Sequence, residues 1–220
     1  MQSTNFLIYF TNGFYNLQTH SWTFNNSSKT VEQKNTGFQL NIPNLKDINE
    51  VEGVLTNIIP NVDSLNLVLR SIAESLKPNL HNNARYLFRG NGSNGKSVMM
   101  NFIKSVMGEY LLDLPESFEG NDRDMDFYKD RLQTAKICVM GEPYDIRKSL
   151  LNIETINKPI FIATNESINS IDGCTIIEFP NRFVTNPSKV GEFKAINLLD
   201  NLKSDAWKNA FFNILLKYLD

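Results

Sequence analysis

The sequence predicts an α/β fold: a mostly parallel sheet flanked by helices, with a small N-terminal β-hairpin and helical appendage. Three observations carry that expectation. A short aromatic run, a Gly-rich loop and an amphipathic segment follow one another in ARYLFRGNGSNGKSVMMNFIKSVMGEY, which is a strand, loop and helix in direct succession. Three further short apolar runs, KICVM, PIFIATN and TIIEF, come later, separated by polar or helical segments, as buried parallel strands require. At 220 residues and 41% hydrophobic content, the chain can bury a sizeable core around such a sheet.

The elements follow in order. FLIYFTNGFYNLQTHSWTF holds two β-rich runs around Asn12-Gly13, a pair suited to a tight turn, so a hairpin is expected with those two residues at its centre. From Phe24 to Asn44 the text turns polar and predicts an exposed connection. Leu65, Leu69, Ile72 and Leu76 recur at three- and four-residue spacing between Val62 and Leu80, with Pro78 near the end, and predict an amphipathic helix that covers the sheet. Tyr86 to Phe88 is the strand that enters the loop. The following helix begins near Lys96 and puts Val98, Phe102, Ile103 and Met107 on one face. After the acidic stretch GNDRDMD come KICVM, PIFIATN and TIIEF; SDAWKNAFFNILLKYL then predicts a closing helix with Ser204 as cap and a stripe through Trp207, Phe211, Leu215 and Tyr218. The organisation expected is an appendage over 1–80, a core over 81–185 and a helical segment over 186–220.

Composition excludes several classes. Lys+Arg 22 against Asp+Glu 24 gives a formal net charge of -2, so no global basic field exists and any nucleic-acid contact must be local. Cys138 and Cys174 are too few for a disulfide framework and lack metal-ligand spacing, and both are expected as small core residues. No basic n-region precedes the first apolar run, and no segment approaches a membrane span, so a cytoplasmic protein with no membrane partner is expected.

The chemistry centres on the loop, Gly90, Asn91, Gly92, Ser93, Asn94, Gly95, Lys96 and Ser97, which fits G-x-x-x-x-G-K-S, the Walker A pattern of a P-loop. Glycines at 90, 92 and 95 allow backbone conformations that turn successive N–H groups toward phosphate oxygens, and the helix that follows adds the positive end of its dipole. Lys96 is expected on the β/γ-phosphates of ATP and the Ser97 hydroxyl on Mg²⁺. Hydrolysis needs a carboxylate at the end of a neighbouring strand to help hold the metal and orient the attacking water, and Glu142, directly after KICVMG, has that position. Asn165, at the end of PIFIATN, is placed to hydrogen-bond the γ-phosphate or the water. The plainer alternatives are a carboxylate that ends a strand and an Asn that caps a turn.

GNGSNGKS, KICVMGEP and KPIFIATN, in that order, resemble the phosphate loop, acidic strand and sensor-Asn strand of superfamily 3 helicases. More closely, they resemble the poxvirus-type primase-helicases of large DNA viruses and phages. FTNGFYNL, NVDSLNLVLRSIAESL and FPNRFVTNP are similar to segments that flank the core in that family, so the likeness spans nearly the whole chain. The resemblance implies an AAA+-like, Mg²⁺-dependent ATPase that assembles as a hexamer and moves along single-stranded DNA during viral or phage replication. By the same resemblance Lys96 and Ser97 contact phosphate and metal, Glu142 is the acidic-strand carboxylate and Asn165 is the sensor. Family members usually carry a primase domain ahead of the helicase, and this chain has no room for one, so a separate primase is expected.

The sequence departs from the family at two places. Only PYDIRKSLLNIETI fills the interval where the family carries a Lys-bearing, DNA-gripping β-hairpin, so the hairpin is expected to be shortened or missing. Arg147 and Lys148 are the basic residues left for DNA there, or else a solvated pair. No Trp-Arg-Arg-like segment precedes TIIEF, where the family supplies an arginine finger to its neighbour; Arg182, the one arginine after Asn165, lies past that place and is expected to be local and structural. Such a finger contributes on the order of 10³ or more in rate. Two other readings therefore stand beside a helicase-type ATPase: a non-catalytic or regulatory nucleotide-binding subunit in a mixed ring with a longer helicase, and another P-loop machine such as a DNA-packaging ATPase.

Overall fold

The structure is a computed structural model that describes residues 6–24, 34–78, 82–153, 156–190, 192–194 and 198–219. Five strands form the main sheet: β4 (Arg85–Arg89), β5 (Leu111–Leu114), β6 (Ile137–Met140), β7 (Ile160–Thr164) and β8 (Cys174–Glu178). All pairings are parallel and the order across the sheet is β5-β6-β7-β4-β8. The loop strand β4 is central, and β7 separates it from β6. Since the strands run in one direction, Arg89, the carboxyl end of β4, lies level with Thr164 of β7 and Glu178 of β8. The segments that leave β4, β6 and β7 thus emerge at one edge, where open α/β sheets form their ligand crevice.

Period-two alternation sends side chains to two cores. Phe88, Val139, Phe161 and Ile177 face a large cluster with α3 (Lys96–Met107) and α7 (Asp205–Leu216), whereas Leu87, Cys138, Met140 and Ile162 face a smaller one with Phe118 and Leu150. Phe88 and Phe161 are fully buried, each contributing about 1.5–3 kcal/mol relative to exposure. Cys138 is buried, and burial pushes its thiol up to about 12, in keeping with a core role; Cys174 is only half-buried. The closing helix is capped as expected, with the Trp207 N–H donating to Ser204 Oγ at 3.3 Å. Trp207, Phe211 and Leu215 are buried, and Phe102 of α3 stacks on Trp207 with ring centroids 6.0 Å apart.

At the N-terminus the structure holds three antiparallel strands, β1 (Leu7–Phe10), β2 (Gly13–Asn16) and β3 (Ser21–Phe24), where the sequence predicts a two-stranded hairpin. The first turn is centred on Thr11-Asn12, one residue earlier than expected, because Phe10 pairs with Gly13. Asn12 is there for a long-range bond: its amide donates to the Leu40 carbonyl at 3.0 Å and accepts from the Leu40 N–H at 2.7 Å. Gly13 is needed for space, since a Cβ there would lie 2.2 Å from the Thr23 carbonyl oxygen. Phe10 and Tyr15 pack edge-on against Phe212 of α7, which joins this small sheet to the main core.

Part of the expected polar connection, 25–33, lies outside the described residues. The rest has no regular structure, but Phe38 and Leu40 are buried, so it is partly a core segment. Several elements occupy text for which no element is expected from the sequence. The first are α1 (Leu45–Ile58), capped by Asn44 and buried through Val51, Leu55 and Ile58, and β5. The predicted helix is α2 (Val62–Ser75), several residues shorter than expected; it packs on α1 and α7, and its apolar face joins the core cluster that covers one face of the sheet. The acidic stretch begins another exposed helix, α4 (Asp122–Thr134), with Asn121 as cap. Completing the described α-helices and strands are α5 (Ile146–Asn152), α6 (Leu199–Lys203), and a parallel ribbon of β9 (Arg182–Val184) and β10 (Glu192–Lys194) apart from the main sheet. Among the described residues, no helix is long and apolar enough to cross a membrane.

Candidate functional site

The loop between β4 and α3 has the backbone that its sequence demands. Gly92, Ser93 and Gly95 all have positive φ, at 83°, 49° and 91°. Ser93 adopts that conformation without being glycine, a local strain typical of ligand-binding turns. Gly95, the residue before α3, needs its missing Cβ twice over: its φ is left-handed, and a Cβ would lie 2.4 Å from Ile58 Cγ2. Gly90 is different from expectation. It has no positive φ, and its requirement is space, because a Cβ would fall 1.7 Å from Asn94 Nδ2 and 2.8 Å from the Phe179 carbonyl oxygen.

Lys96, the first residue of α3, is buried to 4% exposure and curls back over the loop. Its ammonium donates to the Gly90 carbonyl at 2.7 Å, to Asn94 Oδ1 at 3.2 Å and to Asn165 Oδ1 at 2.7 Å. Burial lowers its pKa, and the nearby charge of Glu142 partly offsets this. The other end of the Asn165 amide donates to Glu142 Oε1. One continuous chain, Lys96 to Asn165 to Glu142, therefore crosses the carboxyl ends of β4, β7 and β6. It exists because β7 lies between the other two strands. The side-chain Nδ2 of Asn94 is buried and has no hydrogen-bond partner, a donor held inside the loop.

These groups line a cavity of about 660 Å³, within the range that holds nucleotide-sized ligands. Gly92 to Ser97, Glu142 and Asn165 form its polar side, whereas Gly90 and Asn91 line a neighbouring groove that shares Gly92 and Asn94 with it. Arg182 lines that groove too, close to the Arg89–Glu178 ion pair. Its side chain is 65% exposed and 4.0 Å from Glu192, so little structural work falls to it. Arg147 and Lys148 lie on α5, in neither cavity's lining, and Lys148 donates to Glu119 Oε1 at 2.7 Å. Between Glu142 and β7 the described residues form the helix α5.

The sequence reading misses the other side of the cavity. Val54 and Ile58 reach it from α1, Phe183 from β9, and Phe193 and Lys194 from β10. The available signal is the amphipathic spacing of Val51, Leu55 and Ile58 after Asn44; the ribbon has only weak strand patterning.

The parallel sheet, the strand order and the loop together define an α/β protein with a P-loop NTPase-like core. Among solved structures, the chain is similar to apo forms of the C-terminal region of NrS-1. One superposes with a TM-score of 0.54 at 16% identity, covering 82% of this chain and 46% of that one. Two more, with TM-scores of 0.53 and 0.54 at 17% identity, each cover 78% of this chain. This chain thus spans less than half the length of those structures, and at such identity the likeness concerns the fold. No family model matches the sequence, and no curated protein does.

Proposed function

We propose that the protein is an ATP-binding, superfamily 3 helicase-like ATPase that acts on single-stranded DNA in viral or phage replication. The observation that carries this reading is the chain of Lys96, Asn165 and Glu142 inside one cavity under the loop. The loop N–H groups and the Lys96 ammonium bind the phosphate tail, for which Lys96 must leave the Gly90 carbonyl. Asn165 fixes the γ-phosphate or the attacking water, and Glu142 orients that water and takes its proton.

The residues fit Mg²⁺ held with the nucleotide rather than alone. Among the described residues no group of three or more His, Cys, Asp or Glu could hold a metal. Ser97 and Glu142 share the cavity, and Mg²⁺ commonly takes one or two protein oxygens, substrate phosphates and water. When bound it neutralises developing phosphate charge.

Single-turnover hydrolysis of ATP, with separate measurement of binding, tests the reading. Lys96→Ala should abolish tight binding. Glu142→Gln should bind normally and lose about 10²-fold or more in hydrolysis. A wild-type protein that binds no ATP sinks the proposal.

A second reading, a non-catalytic subunit of a mixed ring with a longer helicase, is favoured by α5 standing where a DNA hairpin is expected and by Arg182 being the one arginine after Asn165. DNA-stimulated ATPase activity from a self-assembled hexamer would exclude it. Absent stimulation, with co-purification of a longer helicase, would favour it.

A further inference from the structure

The apolar wall of the main cavity has no part in phosphate chemistry. Two aromatic rings dominate it: Phe183 and Phe193 are cross-strand partners in the β9–β10 ribbon, with centroids 5.8 Å apart and planes 38° from one another. Phe193 is 37% exposed, a large apolar surface left open in a concave site. Val54 and Ile58 at the end of α1 stand across the same cavity. The ribbon is not part of the main sheet; Phe183 packs half-buried against the main core, and Phe193 lies more open in the cavity.

This wall is tied to the phosphate loop. The Phe183 N–H donates to the Ser93 carbonyl at 2.7 Å, in the strained part of the loop. A Cβ on Gly95 would meet Phe183 Cε2 at 3.5 Å as well as Ile58, so ring and helix end both stand beside the same glycine of the loop. A planar group lying on the rings is therefore within one molecule's reach of a phosphate chain on the loop.

We propose that Phe183 and Phe193 form the base-stacking subsite of this cavity and take a purine, with Phe183 anchoring the ribbon to the loop. The proposal rests on the nucleotide reading above. Stacking on an aromatic face is available to every base and grows with the ring area covered, so purines gain more than pyrimidines.

The test compares the affinities of ATP, CTP and inorganic tripolyphosphate, each with Mg²⁺, by titration calorimetry. Wild type should bind ATP several-fold more tightly than CTP, and both more tightly than tripolyphosphate. Phe193→Ala removes a part-exposed ring without hollowing the core and should weaken ATP about tenfold, leaving tripolyphosphate unchanged. Phe193→Tyr should restore ATP affinity. Phe183→Leu, which keeps the backbone bond to Ser93, should also weaken ATP selectively. Unchanged ATP affinity in Phe193→Ala overturns the subsite, as does an equal loss for ATP and tripolyphosphate. A wild type that binds neither compound overturns the nucleotide reading itself, which is a different result.

Discussion

Replacing Gly95 by alanine tests the local architecture of the loop without reference to any ligand. The residue has φ 91° and ψ 0°, which costs a residue bearing a Cβ about 1–2 kcal/mol. The new methyl would also lie 2.4 Å from Ile58 Cγ2 and 2.8 Å from Ile58 Cβ. Ile58 is 2% exposed and cannot swing away, so overpacking adds about 1–3 kcal/mol. The expected loss is about 2–5 kcal/mol, a large share of the ~5–15 kcal/mol that holds a typical domain. Urea unfolding of ligand-free protein, followed by circular dichroism, measures it as a lower midpoint at constant slope. A double-mutant cycle separates the two causes. Ile58→Ala removes Cγ2, so Gly95→Ala should cost about 1–2 kcal/mol less in that background, the φ penalty remaining. A loss under about 1 kcal/mol for Gly95→Ala, or strict additivity in the cycle, would refute the packing of α1 against the loop.

Three other outcomes are expected. Asn165→Ala cuts the link between Lys96 and Glu142, and should lower single-turnover hydrolysis about 10²-fold while changing ATP affinity only a few-fold; equal losses in both would contradict a positioning role. Tyr110→Phe removes a hydroxyl that accepts from the Tyr9 N–H and donates to the Lys34 carbonyl, and should cost about 1–3 kcal/mol in urea unfolding. Lys136, lowered to about 8 by burial and then by repulsion from Lys158, should titrate near that pH in lysine ¹³Cε NMR. Its folded pKa lies below the unfolded value of 10.5, so between those pH values the unfolded chain holds the extra proton and stability rises with pH, by on the order of 3 kcal/mol at most. The check is the difference in stability between wild type and Lys136→Met across that pH range, because the buried Cys138 thiol, pushed up to about 12, acts in the opposite sense; no pH-dependent difference between the two proteins would contradict the shift.

The elements that sequence reasoning places correctly are those whose signal is local. β4, the loop and α3 are announced by an aromatic run, glycines at set spacing and an apolar stripe, β6 and β7 by short runs buried on both faces, and β8 by a similar run that stands at the sheet edge with only Ile177 fully buried. Ser204 caps α7 as a serine ahead of an apolar helix should. Errors fall where a residue's reason is distant. Asn12 suggests a turn centre, but its amide is committed to Leu40, 28 residues away, and the turn shifts by one. Gly90 suggests backbone freedom, whereas its missing Cβ leaves room for Asn94 and for the carbonyl of Phe179, far along the chain. The ribbon of β9 and β10 is short and exposed, so it lacks the periodicity that marks longer elements.

The candidate site divides in the same way. Lys96, Ser97, Glu142 and Asn165 can be named from the chain because each follows directly from its own strand or loop, and local spacing suffices. That they meet is decided by the order of strands: β7 inserts between β4 and β6, which lets one amide touch both an ammonium and a carboxylate. Local pattern does not encode which strands become neighbours, since pairing is settled by burying both faces of the whole sheet. The apolar wall depends still more on tertiary structure. Ile58, Phe183 and Phe193 belong to segments far apart in sequence, and they share a cavity only because α1 and the ribbon close over the same glycine-lined loop.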